Sequence, residues 1–398
     1  MIPAERTLFN QNFSSEKYLK LTEGLEKHFN TRIPFRVAET PVFLPAGLVG
    51  ELQKAGNEII DFLCRDDLRV ITEAAIPASA YVGGSEGKPL FLSLDFAVTL
   101  VEGLLQPRLI ELQGFPSLFA YQDVLAHFYQ RTYSIPAGYT WLFGGLSRER
   151  YHEELCRVLL GGYEPREVIL LDIDPPGQNT YVDFLATRDL CQIAIVGLED
   201  LVLEDRKLYY LFNGERQVVK RIYNRVIWDE LVRRTDLKFQ FHLTEEAEVE
   251  WAGHPNWFFR ISKFLLPLIK SRYVPETFFL SDLASYPDDL EQFVLKPLYS
   301  FSGSGVEFHV TTQKLDFVAD KSNYILQKKV NYASVVQSLE GGVKTEVRLL
   351  YIWEPEQERP QLMTSLCRLS KGEMIGVKFN RDRTWVGASV AFFEQGLA

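Results

Sequence analysis

The sequence is poor in cysteine and lacks long apolar runs, and each shortage excludes a class of protein. Its four cysteines, Cys64, Cys156, Cys191 and Cys367, have no paired spacing, which excludes a zinc ribbon and argues against a disulfide framework. No stretch approaches the run of about 18 apolar residues that a membrane helix needs, and segment 1–20 lacks the apolar core of a signal peptide. These absences predict a cytoplasmic protein without a membrane partner.

Basic residues are also scarce relative to acidic ones. The chain has 43 lysines and arginines against 53 aspartates and glutamates, and its formal net charge is −10. A general nucleic-acid binder needs a broad basic face to neutralise phosphates. The charge balance therefore argues against a nucleic-acid partner, while it still allows a local basic pocket for the phosphates of a small molecule. The oligomeric state is unknown from the sequence.

Two familiar nucleotide-binding signatures are missing as well. The chain has no Gly-x4-Gly-Lys-Ser/Thr loop and no Gly-x-Gly-x-x-Gly motif. Its six histidines show no metal-ligand spacing. The sequence therefore gives no support to a P-loop enzyme, a dinucleotide-binding fold or a zinc enzyme.

The spacing of apolar residues divides the 398 residues into regions with different predicted secondary structure. Strand patterns at 167–174 and 191–197 enclose a helical pattern at 179–190, which predicts parallel strands covered by helices. Residues 88–99 and 107–115 alternate instead like neighbouring antiparallel strands. Long alternating strands return after residue 345, so both ends of the chain are typical of antiparallel sheet.

The most informative motif is segment 293–306, FVLKPLYSFSGSGV. An apolar strand places Lys296 near its end, a flexible turn follows, and a second predicted strand at 306–310 closes a hairpin. Glycines let backbone N–H groups approach phosphate oxygens, serine hydroxyls add donors, and lysine supplies a mobile charge. An ordinary hairpin turn with an exposed lysine is the alternative. The turn residues are Ser300, Ser302, Gly303, Ser304 and Gly305.

A set of oxygen ligands precedes this motif in the chain. The alternation of side chains along a strand places Glu111 and Gln113 on one face, and Asp95 on the preceding strand is predicted to share that face. Two carboxylates and an amide oxygen are suitable ligands for Mg²⁺. The alternative is an ordinary solvated hairpin.

The order of these motifs resembles that of the ATP-grasp superfamily. A Ser-Lys pair at Lys263, a Val-Pro-x-Thr segment, the Val-Leu-Lys-Pro strand, the glycine-serine turn and the Tyr-Ile-Leu-Gln strand at 324–327 follow one another as in that family. Asp95 and the segment LIELQGFPS precede the lysines, and this placement is similar to the circularly permuted branch, typified by the synthetase part of glutathionylspermidine synthase.

This resemblance implies an α+β and α/β architecture, a circularly permuted ATP-grasp fold with antiparallel-sheet lobes and an inserted Rossmann-like pre-ATP-grasp domain. The expected divisions are the N-terminal part of the large lobe with the metal-binding strands (1–135), the α/β pre-ATP-grasp substrate domain (136–250), the small lobe with the glycine-serine loop (251–345) and the C-terminal strands that complete the large lobe (346–398).

The resemblance also implies which residues bind ATP. Lys263 and Lys296 would contact its phosphates, and the glycine-serine turn would cover them as a lid. Gln327, Lys328 and Val330 would line the adenine pocket, largely through backbone groups. Lys328 stands where a glutamate is common in the family.

Magnesium and the transferred phosphoryl group have their own expected partners. Asp95, Glu111 and Gln113 would hold Mg²⁺, with Gln113 in the place of the usual asparagine. Arg348 and Arg368 on the C-terminal strands offer forked donors for a γ-phosphate or an acyl phosphate, and together with Lys296 they are the expected catalytic residues. Cross-strand salt bridges, for example with Glu346 or Glu373, are the alternative role of the two arginines.

These roles imply an ATP-dependent carboxylate–amine ligase that works through an acyl phosphate and releases ADP and phosphate. Its substrates would be a small-molecule carboxylate and an amine, which the sequence does not name. Two alternatives stay open, namely a nucleotide-binding regulatory module without turnover and an ATP-dependent phosphotransferase.

Overall fold

The computed structural model of the chain describes residues 1–300, 303–372, 375, 380 and 382–397. None of the helices in these ranges is both long and apolar enough to cross a bilayer. The helices are α1 (Pro3–Asn12), α2 (Ser15–Phe29), α3 (Ala46–Leu63), α4 (Leu68–Ile71), α5 (Phe119–Thr132), α6 (Arg148–Leu160), α7 (Tyr181–Cys191), α8 (Trp228–Arg233), α9 (Trp257–Arg260) and α10 (Thr312–Asp316). The strands are β1 (Val42–Phe43), β2 (Phe91–Val101), β3 (Leu104–Gln113), β4 (Tyr139–Thr140), β5 (Val168–Asp172), β6 (Ala194–Gly197), β7 (Val202–Glu204), β8 (Lys207–Phe212), β9 (Glu215–Val219), β10 (Arg221–Asn224), β11 (Glu250–Ala252), β12 (Thr277–Phe279), β13 (Phe293–Pro297), β14 (Tyr324–Lys328), β15 (Val336–Ser338), β16 (Gly341–Ile352), β17 (Gln361–Ser370) and β18 (Gly387–Glu394).

The largest sheet joins strands from the two ends of the chain. Its order is β1-β18-β17-β16-β2-β3, and β16 pairs antiparallel with both β2 and β17. Strands β2 and β3 form the antiparallel hairpin that their alternation predicts. Strand β2 lies inside the sheet and its first nine residues are buried, which is inconsistent with a solvated hairpin.

Helix α3 covers one face of this sheet. It has apolar residues at helical spacing along one side, and Gly56 faces Leu349 and Tyr351 of β16. A Cβ atom at Gly56 would lie 2.1 Å from the hydroxyl oxygen of Tyr351, so a larger residue would force this buried side chain to move. The opposite face of the sheet is therefore the one that is left to carry polar side chains.

The middle region forms a parallel sheet in the order β11-β10-β5-β6. Strands β5 and β6 are parallel, as the alternation of elements predicts. Strand β10 directly follows the antiparallel hairpin β8–β9 in the chain. It does not extend that hairpin but pairs in parallel with β5 and β11. All four of its residues are buried, and burial on both faces is typical of a parallel sheet.

A small antiparallel sheet, β12-β14-β13, carries the lysine motif. The predicted strand at 306–310 is reduced to one bridge, in which Leu295 and Glu307 exchange two backbone hydrogen bonds. The helical spacing at 257–270 yields only the short α9 and a 3-10 turn at Lys263–Leu265, because Ser262 is extended and accepts a hydrogen bond from the backbone N–H of Phe264. Lys263 therefore lies in a 3-10 turn and not in a longer helix.

One pair of cysteines corrects the expectation drawn from their spacing. Cys156 in α6 and Cys191 in α7 form a disulfide, with their Cα atoms 5.2 Å apart, whereas Cys64 and Cys367 are free. The two partners are 35 residues apart in sequence, and only the packing of α6 against α7 brings them together. Sequence spacing cannot reveal such a pairing.

We expect the double substitution Cys156→Ser and Cys191→Ser to lower the free energy of unfolding by about 2–4 kcal/mol, because the cross-link restricts the unfolded chain. Urea denaturation of the oxidised protein and the variant measures this difference. Cys64→Ser removes a free, half-buried thiol and serves as the control with an unchanged midpoint. Equal midpoints for all three proteins would show that the disulfide does not form in solution.

Candidate functional site

Charged side chains gather on the face of the large sheet opposite α3. Asp95 in β2 lies directly across from Glu111 in β3 on one side and from Arg348 in β16 on the other. Glu346, two residues before Arg348, lies across from Arg368 in β17. Because side chains of directly paired residues share a face, all five side chains extend from the same face.

Asp95 lies at the centre of this group and is almost fully buried. Arg348 donates from Nε to Oδ1 at 2.5 Å and from Nη2 to Oδ2 at 2.7 Å, and Arg368 donates from Nη2 to Oδ2 at 2.5 Å. Burial raises the pKa of the Asp95 carboxyl, but the charges of the two guanidinium groups outweigh it, so the pKa lies below its ordinary value. Both oxygens of Asp95 are therefore engaged by arginine.

Arg368 connects Asp95 to a second carboxylate. It also donates to Glu346, whose other oxygen accepts a hydrogen bond from the Tyr332 hydroxyl at 3.0 Å. Burial raises the pKa of the Glu346 carboxyl above its ordinary value, and the charge of Asp95 acts in the same direction against that of Arg368. The arginines thus form the cross-strand ion pairs that the sequence leaves open as the alternative to a phosphate clamp. The Nε of Arg368 is buried and has no acceptor among the described residues.

Two lysines from the later half of the chain reach strand β3. Lys263, in the 3-10 turn, contacts Oε1 of Glu111 at 2.9 Å and donates to the carbonyl oxygen of Ser300 at 2.7 Å. Removal from bulk water raises the pKa of the Glu111 carboxyl, but the Lys263 ammonium outweighs it and the pKa lies below its ordinary value. Lys296, in β13, donates to the carbonyl oxygen of Ile110 at 3.1 Å.

A β-bulge explains why this carbonyl is available. Asp95 pairs with Glu111 and Phe96 with Leu109, so Ile110 is an extra residue that the β2–β3 ladder leaves unpaired. Its carbonyl oxygen turns to Lys296 instead. The bulge therefore joins the small sheet to the large one at the strand that carries Glu111.

Lys296 has a second partner in the neighbouring strand β14. Its Nζ donates to Oε1 of Gln327 at 2.6 Å, and Nε2 of Gln327 lies 3.2 Å from the Thr277 hydroxyl. Burial lowers the pKa of Lys296 to about 8; Glu111 acts in the opposite direction and Lys263 in the same one. The prediction for Gln327 concerned backbone groups in an adenine pocket, whereas its side chain holds Lys296.

The glycine-serine turn lies next to Lys263. The hydroxyl oxygen of Ser300 is buried without a hydrogen-bond partner among the described residues. Gly303 and Gly305 have φ values of +70° and +72°, in the left-handed region that favours glycine. Ser304 is exposed, and Ser302 lies outside the described residues.

The two remaining predicted adenine contacts lie at the end of β14. The backbone N–H of Lys328 donates to the carbonyl oxygen of Glu276 at 2.8 Å, and its exposed side chain lies 6.0 Å from the ring of Phe293. Val330 is half-buried just beyond the strand. Their assignment to adenine stays a prediction.

The three predicted magnesium ligands share one sheet face, but they are not equally available. Gln113 lies across from Ser93 and accepts a hydrogen bond at Oε1 from the Ser93 hydroxyl at 3.4 Å, and Lys263 contacts one of the two oxygens of Glu111. Mg²⁺ commonly takes one or two carboxylates from a protein and completes its shell with water and phosphate oxygens. Glu111 and Gln113 fit such a partial set, whereas Asp95 does not, because arginines occupy both of its oxygens. The described residues contain no group of three or more His, Cys, Asp or Glu that could hold a metal.

Sequence reasoning missed two participants, Tyr332 and Thr277. Tyr332 comes from a segment without periodicity, and Thr277, although it ends the Val-Pro-x-Thr segment, lies in a strand of only three residues. Each enters the site through a contact between residues distant in sequence.

The site as a whole has a small excess of positive charge. Three acidic side chains meet four basic ones, so with every group ionised one positive charge is left over. Two of these bases are arginines, which hold carboxylates and phosphates in the same forked geometry. An anion with several charges can therefore bind here if the basic side chains turn from their present carboxylate partners to the anion. The seven residues are Asp95, Glu111, Glu346, Lys263, Lys296, Arg348 and Arg368.

A comparison with solved structures finds a similar fold. A structure described as that of a glutathione synthetase-like effector from Globodera pallida, in the apo form, matches over 96% of this chain and 97% of its own, with a TM-score of 0.59 and 10% sequence identity. At this identity the likeness concerns the fold: the chain has a mixed α+β architecture similar to that of this glutathione synthetase-like protein. The sequence matches no protein-family model and no curated protein.

Proposed function

We propose that the protein binds ATP with Mg²⁺ and joins a carboxylate to an amine, as a ligase with a circularly permuted ATP-grasp fold. One observation carries the proposal. The lysines that the motif order assigns to ATP phosphates contact the strand that it assigns to magnesium, through the pairs Lys263–Glu111 and Lys296–Ile110. The similarity of the fold to a glutathione synthetase-like protein supports the same assignment.

In this proposal the protein positions reactants and balances charge, without a nucleophile of its own. Lys263 and Lys296 neutralise phosphate oxygens, and Glu111 and Gln113 would hold Mg²⁺, which would draw charge from the phosphates. The substrate carboxylate attacks the γ-phosphorus, the bond from that phosphorus to the bridging oxygen breaks, and ADP leaves. The amine then attacks the acyl carbon, the acyl C–O bond breaks with its electron pair going to the departing phosphate, and the amine nitrogen loses a proton.

Asp95 takes a different part from the one the sequence predicts. Since both of its oxygens accept hydrogen bonds from arginines, we assign it to holding Arg348 and Arg368 rather than to Mg²⁺. Arg368 is the more exposed of the two, with 34% of its side chain accessible against 9% for Arg348. Arg368 is therefore the arginine that we assign to the transferred phosphoryl group.

A nucleotide-binding module without turnover is the second candidate. The observation that favours it is the internal neutralisation of the site, in which Arg348 and Arg368 already have carboxylate partners. A module of this kind would bind ATP at the lysines and leave the arginine pairs intact.

We expect ADP and phosphate to be released only when ATP, Mg²⁺, an acid and an amine are all present. A coupled assay for both products, run with mixtures of small carboxylic acids and amines, measures this. Isothermal titration with ATP runs in parallel as a measure of binding. Binding without release in every mixture would favour the module, and a stable phosphorylated product would favour the phosphotransferase. Absence of ATP binding would contradict all three functions.

A further inference from the structure

A chain of three buried side chains crosses the small sheet and ends at Lys296. Thr277 in β12 and Val294 in β13 both lie directly across from Gln327 in β14, and Lys296 follows Val294 on the same face. Thr277, Gln327 and Lys296 are each at most 8% exposed. Contacts at 3.2 and 2.6 Å connect them in that order.

The direction of every hydrogen bond in this chain is determined by chemistry. An ammonium only donates, so Gln327 must present its amide oxygen to Lys296. Its NH₂ group then needs an acceptor, which is the hydroxyl oxygen of Thr277. The Thr277 hydroxyl in turn donates to the carbonyl oxygen of Pro275 at 2.8 Å. The backbone carbonyl of Pro275, just before β12, therefore orients the amide that faces Lys296.

The ammonium keeps one donor for a ligand. Lys296 has three N–H groups, and the described residues supply two acceptors, the Gln327 amide oxygen and the Ile110 carbonyl oxygen. Both of these partners are neutral. The charge of the ammonium is therefore held in place without being cancelled by a direct ionic partner.

We propose that Gln327 and Thr277 are positioning residues that aim the third N–H of Lys296 at an anionic oxygen of the bound phosphates, and that the neutrality of the Gln327 amide leaves the lysine charge available to that ligand. This inference rests on the proposed function for the identity of the ligand. It differs from the assignment of Gln327 to an adenine pocket, because it concerns the side chain and the phosphates.

The first experiment titrates Lys296 and needs no ligand. The ¹³Cε signal of labelled lysine, assigned by its loss in Lys296→Arg, is followed against pH. In the unchanged protein we expect a midpoint near 8, the pKa to which burial lowers this group. Gln327→Glu adds an anion beside the ammonium and moves the midpoint up, whereas Gln327→Met removes an acceptor and moves it down.

The second experiment measures ATP affinity with Mg²⁺ by isothermal titration. We expect Gln327→Glu and Gln327→Met each to weaken ATP binding about 10- to 100-fold, the range for one hydrogen bond to a charged group. In the unchanged protein ATP affinity falls as pH rises through the Lys296 midpoint, since the ammonium is charged only below it. In Gln327→Glu this fall moves to higher pH. A role limited to packing would leave both pH profiles in place.

Matched variants separate these effects from damage to the fold. Gln313, exposed on α10 of the same lobe, supplies the controls Gln313→Glu and Gln313→Met, which we expect to change neither midpoint nor affinity. Thr277→Val removes the acceptor for the Gln327 amide and Thr277→Ser restores it, so ATP affinity should fall and recover even if Gln327→Met does not fold.

The outcomes also distinguish the inference from the proposed function. Opposite shifts of the Lys296 midpoint in a protein that binds no ATP would support the positioning role and contradict the function. Normal ATP binding with an unchanged midpoint in both Gln327 variants would overturn the positioning role and leave the function standing.

Discussion

Lys296→Ala lowers ATP turnover by about 10²- to 10³-fold, the effect expected when one donor to a developing charge is removed from a buried site. The ammonium is buried between the two sheets, where Gln327 and the Ile110 carbonyl oxygen fix its position. Initial rates of ADP release, with ATP affinity measured separately, give the size of the loss.

The control for this variant is Lys314→Ala in the same lobe. Lys314 is exposed in α10 and pairs with Glu307 at 3.0 Å, so its removal leaves turnover unchanged. Lys263→Ala and Lys270→Ala form a second matched pair. Lys263→Ala is the test, since Lys263 contacts Glu111, and Lys270→Ala is its control, since Lys270 is exposed a few residues later in the chain. Normal turnover in Lys296→Ala would show that the phosphates bind elsewhere.

Asp95→Ala lowers the free energy of unfolding by about 3–5 kcal/mol, because it removes one partner of a buried ion pair and leaves the buried Arg348 without a counter-charge. Arg348 and Arg368 both lose their shared carboxylate in this variant, but Arg368 keeps its ion pair with Glu346. The further substitution Arg348→Met takes away the uncompensated charge and recovers part of the loss. Chemical denaturation of the single and double variants at neutral pH measures both changes.

Asp61→Ala is the matched control for Asp95→Ala. Asp61 pairs with Arg359 at the same distance of 2.5 Å, but both side chains are about half exposed or more, and an exposed pair of this kind contributes about 0–1 kcal/mol. Equal losses for Asp61→Ala and Asp95→Ala would contradict the role of burial.

The stabilisation by Asp95 also depends on pH. Its pKa is lower in the folded protein than in the unfolded chain, so the stabilisation is complete above the unfolded value of about 3.9. It is lost as pH falls through the lower, folded value. The difference in stability between the unchanged protein and Asp95→Asn should therefore shrink on acidification below pH 4. A constant difference would show that the ionised carboxylate is not the source.

These two predictions concern different halves of one charged cluster. Lys263 and Lys296 approach from the small sheet and depend on the junction at Ile110. The arginines lie within the large sheet, where Asp95 holds them by direct cross-strand contacts. Loss of a lysine should thus affect ligand chemistry more than folding, and loss of Asp95 the reverse.

Local pattern alone determined the two strands that carry Asp95, Glu111 and Gln113. The alternation of β2 and β3 predicted an antiparallel hairpin with Asp95, Glu111 and Gln113 on one face, and the structure has this register. The parallel pairing of β5 and β6 follows in the same way from alternating helical and strand patterns. Such features depend on side-chain periods of 2.0 and 3.6 residues, which are written in consecutive residues and need no knowledge of distant ones.

Tertiary structure alone decided what each charged group contacts. Arg348 binds Asp95 across 253 residues of sequence, Lys296 binds a carbonyl oxygen that a one-residue bulge releases, and Gln327 turns its side chain toward that lysine. The Cys156–Cys191 pair likewise depends on the packing of two helices. A periodic pattern specifies the face on which a side chain lies but not its partner, because the partner depends on register, on bulges and on which strand becomes the neighbour.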